Sequence, residues 1–218
     1  MVNYRSSGVA PIPPVIKNLL IINALVWLAQ LYFDRQGIPL EFYGGLWDPG
    51  SGNFRIWQLI THMFMHQAYA GMPPWGVENI VFAHIGFNMF ALWMFGSILE
   101  NFWGSKRFLQ FYMICGIGAG VAQMFLGGGG PAIGASGAVM GVMAAFAYLF
   151  PNTELYMLFI PVPLKAKYVV GGLIALDLFG GINPGPADNV AHWAHLGGAL
   201  IGIIVVIFWN KTRKKDFY

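Results

Sequence analysis

Apolar runs long enough to bridge a lipid bilayer recur along this chain, and they constrain its fold more than any other feature. A bilayer core about 30 Å thick takes roughly 20 apolar residues in a helix, with a range of about 17–25. Six runs are candidates: Asn18 to Phe33, Asn79 to Leu99, Phe108 to Leu126, the shorter Ser136 to Phe150, Tyr168 to Ile182, and Val190 to Trp209. Only 10% of the residues are charged and 57% are hydrophobic, whereas a soluble domain carries about 25% charged residues. The excess apolar surface has to face lipid. The pattern predicts an all-α integral membrane protein with a cytoplasmic lead over residues 1–17, one six-span domain over 18–210 and a basic cytoplasmic tail over 211–218. No A-x-A-like cleavage site follows the first run, so it reads as a retained span.

The placement of basic residues orients the spans. With six of them both termini share a side, and that side holds Arg5, Lys17, Lys106, Arg107, Lys165, Lys167, Lys211, Arg213, Lys214 and Lys215. The opposite side keeps Arg35 and Arg55. By the positive-inside rule the first side, with both termini, is cytoplasmic. The outer segment from Asp34 to Asn79 is too rich in aromatic residues to float free, with Phe42, Tyr43, Trp47, Phe54, Trp57, Phe64 and Trp75 among them. It is expected to lie along the outer membrane interface. No basic face with polar surroundings exists for nucleic acid. The single cysteine, Cys115, sits inside an apolar run and reads as a small core residue.

Polar residues inside spans are costly and usually mark function. Ser136 opens the fourth run in Gly134-Ala135-Ser136-Gly137, His84 and Asn88 lie one turn apart in the second, and His192 and His195 begin the sixth. Ser136 precedes Phe150 by 14 residues and His195 precedes Trp209 by 14, each about 21 Å of helix. His84 precedes Glu100 by 16 residues, about 24 Å. All three runs pass from outside to inside, so the three sets fall at one depth. Before Ser136 comes Gly127-Gly128-Gly129-Gly130-Pro131, which cannot be regular helix. Non-helical backbone at that depth implies a watered or protein-lined cavity. The first-turn N–H groups at Ser136 then suit a developing oxyanion. Gly137-x-x-x-Gly141 and Gly198-x-x-x-Gly202 would let the fourth and sixth spans pack closely and bring Ser136 to His195, as an activated serine requires.

The chain resembles the rhomboid intramembrane proteases from its first span to its tail. The resemblance rests on Thr61 to His66 in the outer loop, His84 to Asn88 and Gly96 to Glu100 in the second span, Gly134 to Gly137 opening the fourth, and Ala194 to Gly202 in the sixth. It implies a six-transmembrane-helix bundle acting as a serine endopeptidase on single-pass transmembrane proteins, without cofactor or metal. Ser136 would be the nucleophile and His195 the general base. His84, Asn88 and the Ser136 N–H would form the oxyanion hole. Two features depart from the family pattern. His66 and His84 are 18 residues apart, as if a segment around Met72-Pro73-Pro74-Trp75 were inserted, with Asn79 where the outer histidine usually stands; and Met140 replaces the aromatic residue four after the serine.

Further expectations concern residues beside the pair. His192 reads as a cavity-wall residue, and His62 with His66 as interfacial polar packing rather than a metal site. Glu100 reads as a local cap. Asp188, about 10 Å along the helix from His195, is too far to be a third member, so the site reads as a dyad. Leu178 and Phe179, followed by Gly180 and Gly181, are read as a gate through which substrate enters sideways from lipid. The alternative function is a catalytically inactive rhomboid-like protein that binds or escorts membrane clients. A transporter would show repeated halves, and none is visible. The compact form without a transit peptide points to a bacterial inner membrane. Nothing in the pattern sets an oligomeric state.

Overall fold

In a computed structural model, residues 11–69, 80–128, 130–157, 160–185 and 188–213 are described. The Met72–Trp75 segment, Asn79, Gly129, Pro186, Lys214 and Lys215 lie outside the described residues. The long helices are α1 (Pro14–Asp34), α2 (Phe82–Trp103), α3 (Ser105–Leu126), α4 (Ser136–Leu149), α5 (Ala166–Ile182) and α6 (His192–Arg213). Among the described residues four of them, α1, α2, α3 and α6, are long and apolar enough to cross a membrane. The protein is a multi-pass integral membrane protein; α4 and α5 are shorter, at 14 and 17 residues.

Local sequence explains the helix ends. Pro14 opens α1 at its first position, where its missing N–H costs nothing. Gly104, at φ 83°, turns the chain between α2 and α3, a conformation that disfavours a side chain. The start of α2 falls at Phe82 rather than Asn79, because Ile80 forms an antiparallel bridge with Tyr69 and Val81 N–H donates to Ala68 O at 3.0 Å. A π-helical stretch over Leu92–Gly96 interrupts α2. There Gly96 lets α1 approach, since a Cβ would meet Ile16 Cδ1 at 2.5 Å.

Glu100 does more than cap locally. It accepts from Ser105 Oγ at 2.6 Å, but also from the N–H groups of Val15 and Ile16 at 3.0 and 2.8 Å. The buried carboxylate thus satisfies first-turn donors of α1 and faces the positive end of its dipole, tying the first long helix to the end of the second.

The centre of the protein is α3, α4 and α6. Their contact is close because glycines face each other. A Cβ on Gly202 would lie 2.6 Å from Gly141 O, one on Gly141 would lie 2.8 Å from Gly198 O, and one on Gly198 would overlap Gly137 O. Cys115 is buried against Gly141. Phe108, Phe111, Tyr112, Leu92 and Phe146 fill the space toward the opposite end of the bundle from Ser136.

One feature lies outside the all-helical expectation. The connection from α4 to α5 forms an antiparallel hairpin, β1 (Glu154–Met157) with β2 (Ile160–Lys165), pairing Glu154 with Lys165 and Leu155 with Leu164. Pro161 and Pro163 in β2 lack N–H donors, which suits a strand that ends the sheet. The segment between α1 and α2 is folded, with short helices at Leu40–Gly44 and Gln58–Thr61. It buries Leu46, Gln58, His62, Met63 and His66, and leaves Phe42, Tyr43, Ile56 and Trp57 exposed.

Candidate active site

Ser136 is the first residue of α4. The chain reaches it through backbone pairing that replaces the missing helix. Leu46 and Ala132 exchange hydrogen bonds at 2.8 and 2.9 Å, and Gly134 N–H donates to His62 O at 2.9 Å. His62 is itself buried, its Nδ1 against Gln58 O at 2.7 Å, and burial pushes its imidazole down to about 4. The segment between α1 and α2 therefore fixes the approach to Ser136. Val139 N–H makes the first bond of α4, to Ala135 O. The N–H groups of Ser136, Gly137 and Ala138 consequently have no acceptor within the helix.

The Ser136 hydroxyl meets His195 Nε2 at 2.8 Å across the α4–α6 seam. On the other side of Ser136, a Cβ on Gly134 would lie 2.9 Å from His84 Nε2 and 3.5 Å from Ser136 Oγ. Imidazole and hydroxyl thus border one small volume, kept open because residue 134 is glycine at φ 126°. The proton on His84 can be assigned from its neighbours. The Gln67 backbone N–H donates to Nδ1 at 3.2 Å, so a neutral ring carries its hydrogen on Nε2, facing that volume. Asn88 donates one amide hydrogen to His84 O at 2.8 Å and keeps a second.

His66 lies against His84 despite the long spacing, with ring centroids 5.1 Å apart and planes at 64°. The Tyr69–Ile80 bridge closes the base of the extra segment, so the residues on either side meet as though it were absent. Gln30 of α1 holds His66 from both backbone sides, donating to its carbonyl and accepting from its N–H, each at 2.9 Å. Burial, then the adjacent His84, push the His66 imidazole down to about 3. His62 and His66 point to different neighbours, α3 and His84. Met140 is buried in α4.

The expectation that no carboxylate reaches the pair is overturned. Asp177 of α5 places Oδ1 2.9 Å from His195 Nδ1 and 2.7 Å from His192 Nδ1. His192 also reaches Asp188 Oδ2 through Nε2 at 3.0 Å. Asp188 therefore contacts the group by way of His192, and His192 is part of the polar chain rather than simple wall. Spacing along α6 alone does not reach the partner of His195, which stands on α5. The available signal was an ionisable residue within the apolar stretch of α5. Asp177, His192 and His195 bring ligand atoms within 4.8 Å of one another, a set a divalent cation could use. Both Nδ1 donors are instead directed at Oδ1, which reads as hydrogen bonding.

Gly180 and Gly181 at the end of α5 pack against α6. A Cβ on Gly181 would meet the Trp193 and His192 side chains at 3.3–3.4 Å, and one on Gly180 would press into the His192 ring. Leu178 and Phe179 are exposed by 47% and 68%.

The rhomboid domain family matches residues 75–211. The chain is 33% identical over 142 residues to "Rhomboid protein 1, mitochondrial" of Saccharomyces cerevisiae, covering 62% of this chain and 40% of that protein. It is 35% identical over 138 residues to the human "Presenilin-associated rhomboid-like protein, mitochondrial", covering 61% and 36%. With "RHOMBOID-like protein 12, mitochondrial" of Arabidopsis thaliana it shares 30% over 222 residues, covering 93% and 60%. The chain thus spans less than two thirds of the length of each. All three names are mitochondrial, so they lend no support to the expected bacterial membrane. On the match over residues 75–211, which is more than half of its length, this chain belongs to the rhomboid family.

Proposed function

We propose that this protein is an intramembrane serine endopeptidase, with Ser136 as nucleophile and His195 as general base, acting on single-pass transmembrane proteins. The observation that carries the reading is the 2.8 Å contact between Ser136 Oγ and His195 Nε2, made where the missing side chain of Gly134 would lie 2.9 Å from His84 Nε2. The Ser136 proton passes to His195 Nε2 as Oγ attacks the scissile carbonyl carbon. The carbonyl oxygen takes the negative charge and is received by His84 Nε2–H, Asn88 Nδ2–H and the Ser136 N–H. His195 then gives its proton to the departing amine, leaving an acyl-enzyme on Ser136. Water, deprotonated by the same imidazole, releases the acid and regenerates the hydroxyl.

The reading includes six spans, α1 to α6, with both termini on the cytoplasmic side, supported by the distribution of basic residues. The exposed Phe42, Tyr43, Ile56 and Trp57 suit an outer segment resting at the lipid interface. A substrate must leave its helix locally, because helical backbone hides the scissile carbonyl. It enters from lipid between α2 and α5, past Leu178 and Phe179, with Gly180 and Gly181 at the moving end.

The test is cleavage of a model transmembrane substrate by purified protein in detergent or liposomes. Ser136→Ala, His195→Ala and the double variant should lose activity nearly equally, because a nucleophile and its base act as one unit. Cleavage at the normal rate by folded Ser136→Ala refutes the reading.

A further inference from the structure

Resting on the proposed Ser136–His195 reaction, we propose that Asp177 is a positioning residue for that pair, held in place by His192 and Asp188. A two-residue site leaves open what holds the imidazole with a lone pair toward the serine. Asp177 answers that question. An ionised carboxylate only accepts hydrogen bonds, so the 2.9 Å contact with His195 Nδ1 requires the hydrogen on Nδ1. Nε2 is then the free acceptor, and it is the atom 2.8 Å from Ser136 Oγ. One bond fixes both tautomer and ring orientation, and it stabilises the imidazolium formed when the serine proton arrives.

Asp177 is a costly residue to keep on a helix that otherwise presents Leu176, Leu178 and Phe179 outward. Its own side chain is mostly buried, and the bonds from His192 and His195 converge on one oxygen, Oδ1. His192 touches a carboxylate through each ring nitrogen, Asp177 through Nδ1 and Asp188 through Nε2. Both acceptors lack protons, so His192 completes both bonds as the cation, with one negative charge on either side. The groups facing Asp177 are thus the two imidazoles of α6, with Asp188 behind His192. His192 holds the carboxylate from the outer side while His195 uses it from the inner side. Gly180 packs against the His192 ring, and a Cβ there would overlap the ring and push it off Asp177. The chain Asp188–His192–Asp177–His195–Ser136 runs from the loop after α5 to α6, α5, α6 again and α4 through side chains alone. The shape of the cavity around the substrate does not enter into it.

The experiment compares wild type, Asp177→Asn, Ser136→Ala, His195→Ala and Asp177→Asn/His195→Ala, as full chains in liposomes, on one transmembrane substrate. Asp177→Asn should lower kcat by roughly 10²–10⁴-fold with KM nearly unchanged, because tautomer control acts on the chemical step. On the His195→Ala background the same change should cost nothing further, since Asp177 acts through that ring. Nitrogen-15 spectra of histidine-labelled wild type provide a measurement that does not depend on a variant folding. The ring signal lost in His195→Ala should carry its hydrogen on Nδ1. The proposal is overturned by wild-type kcat in Asp177→Asn, by a loss confined to KM, by an equal further loss in the His195→Ala background, or by an Nε2–H tautomer. Those results leave the serine mechanism standing as long as Ser136→Ala is inactive. An active Ser136→Ala removes the mechanism itself.

Discussion

The helices α4 and α5 are the two short ones, and they are built in opposite ways. α4 buries every residue from Gly137 to Phe146. α5 buries Ala166, Val170 and Asp177 and turns most of its length outward. Glycine has a different purpose in each. In α4, Gly137 and Gly141 let the α6 backbone into contact, whereas a Cβ on Gly171 or Gly172 of α5 would meet nothing within 4 Å. The proposed nucleophile stands on the helix that is packed into the core on all sides. The more exposed helix carries Asp177, the group proposed to steady the base. Preorganised chemistry needs the first arrangement and lateral entry needs the second.

The same substitution at two glycines should separate these roles most strongly. Gly198→Ala puts a Cβ into the Gly137 carbonyl. It should part α4 from α6, abolish cleavage and cost about 1–3 kcal/mol or more from overpacking. Gly171→Ala should stay within about 0.5 kcal/mol and keep full activity. Thermal unfolding and turnover of both variants check this, and equal effects would erase the contrast between the helices.

The oxyanion side comes next. Asn88→Ala should lower kcat by roughly 10²–10³-fold, with His84→Ala at least as damaging, if each supplies a donor to the developing charge. Normal kcat in either purified variant removes that side chain from the site. The proposed shift of α5 can be challenged directly by crosslinking engineered cysteines at its end to facing positions on α2. Cleavage of a transmembrane substrate should slow in the crosslinked protein and recover on reduction, and unimpaired cleavage would sink the lateral gate while leaving the chemistry intact. Glu100 should affect stability far more than turnover. Glu100→Gln weakens the charge-assisted bonds to Val15 and Ile16 and should cost about 1–3 kcal/mol, read as a lower unfolding temperature with kcat nearly unchanged.

These contrasts divide what a sequence can and cannot disclose here. The start of α4 at Ser136 was readable because four glycines and a proline stop any earlier helix. The meeting of Ser136 with His195 was readable because two small-residue stripes begin just after them. Contacts between elements far apart in the chain were not. Glu100 reads as a helix-end acid until α1 is laid beside it. His66 reads as displaced until the Tyr69–Ile80 bridge is seen to close the base of the extra segment. The hairpin at Glu154–Lys165 was hidden by its prolines, which argue against a strand unless it is an edge. Asp177 was half readable. Its cost inside an apolar helix announces a purpose, but only the fold supplies the two imidazoles that meet it.

The central claim is that Ser136 is made nucleophilic by His195. A fluorophosphonate probe tests it without a known substrate, since covalent labelling needs an activated hydroxyl and nothing else from the substrate. The full-length protein should be labelled at Ser136, with labelling lost in Ser136→Ala and in His195→Ala while both variants unfold at the wild-type temperature. Labelling of His195→Ala at the wild-type rate, or an unlabelled wild-type protein that is folded, would contradict the account.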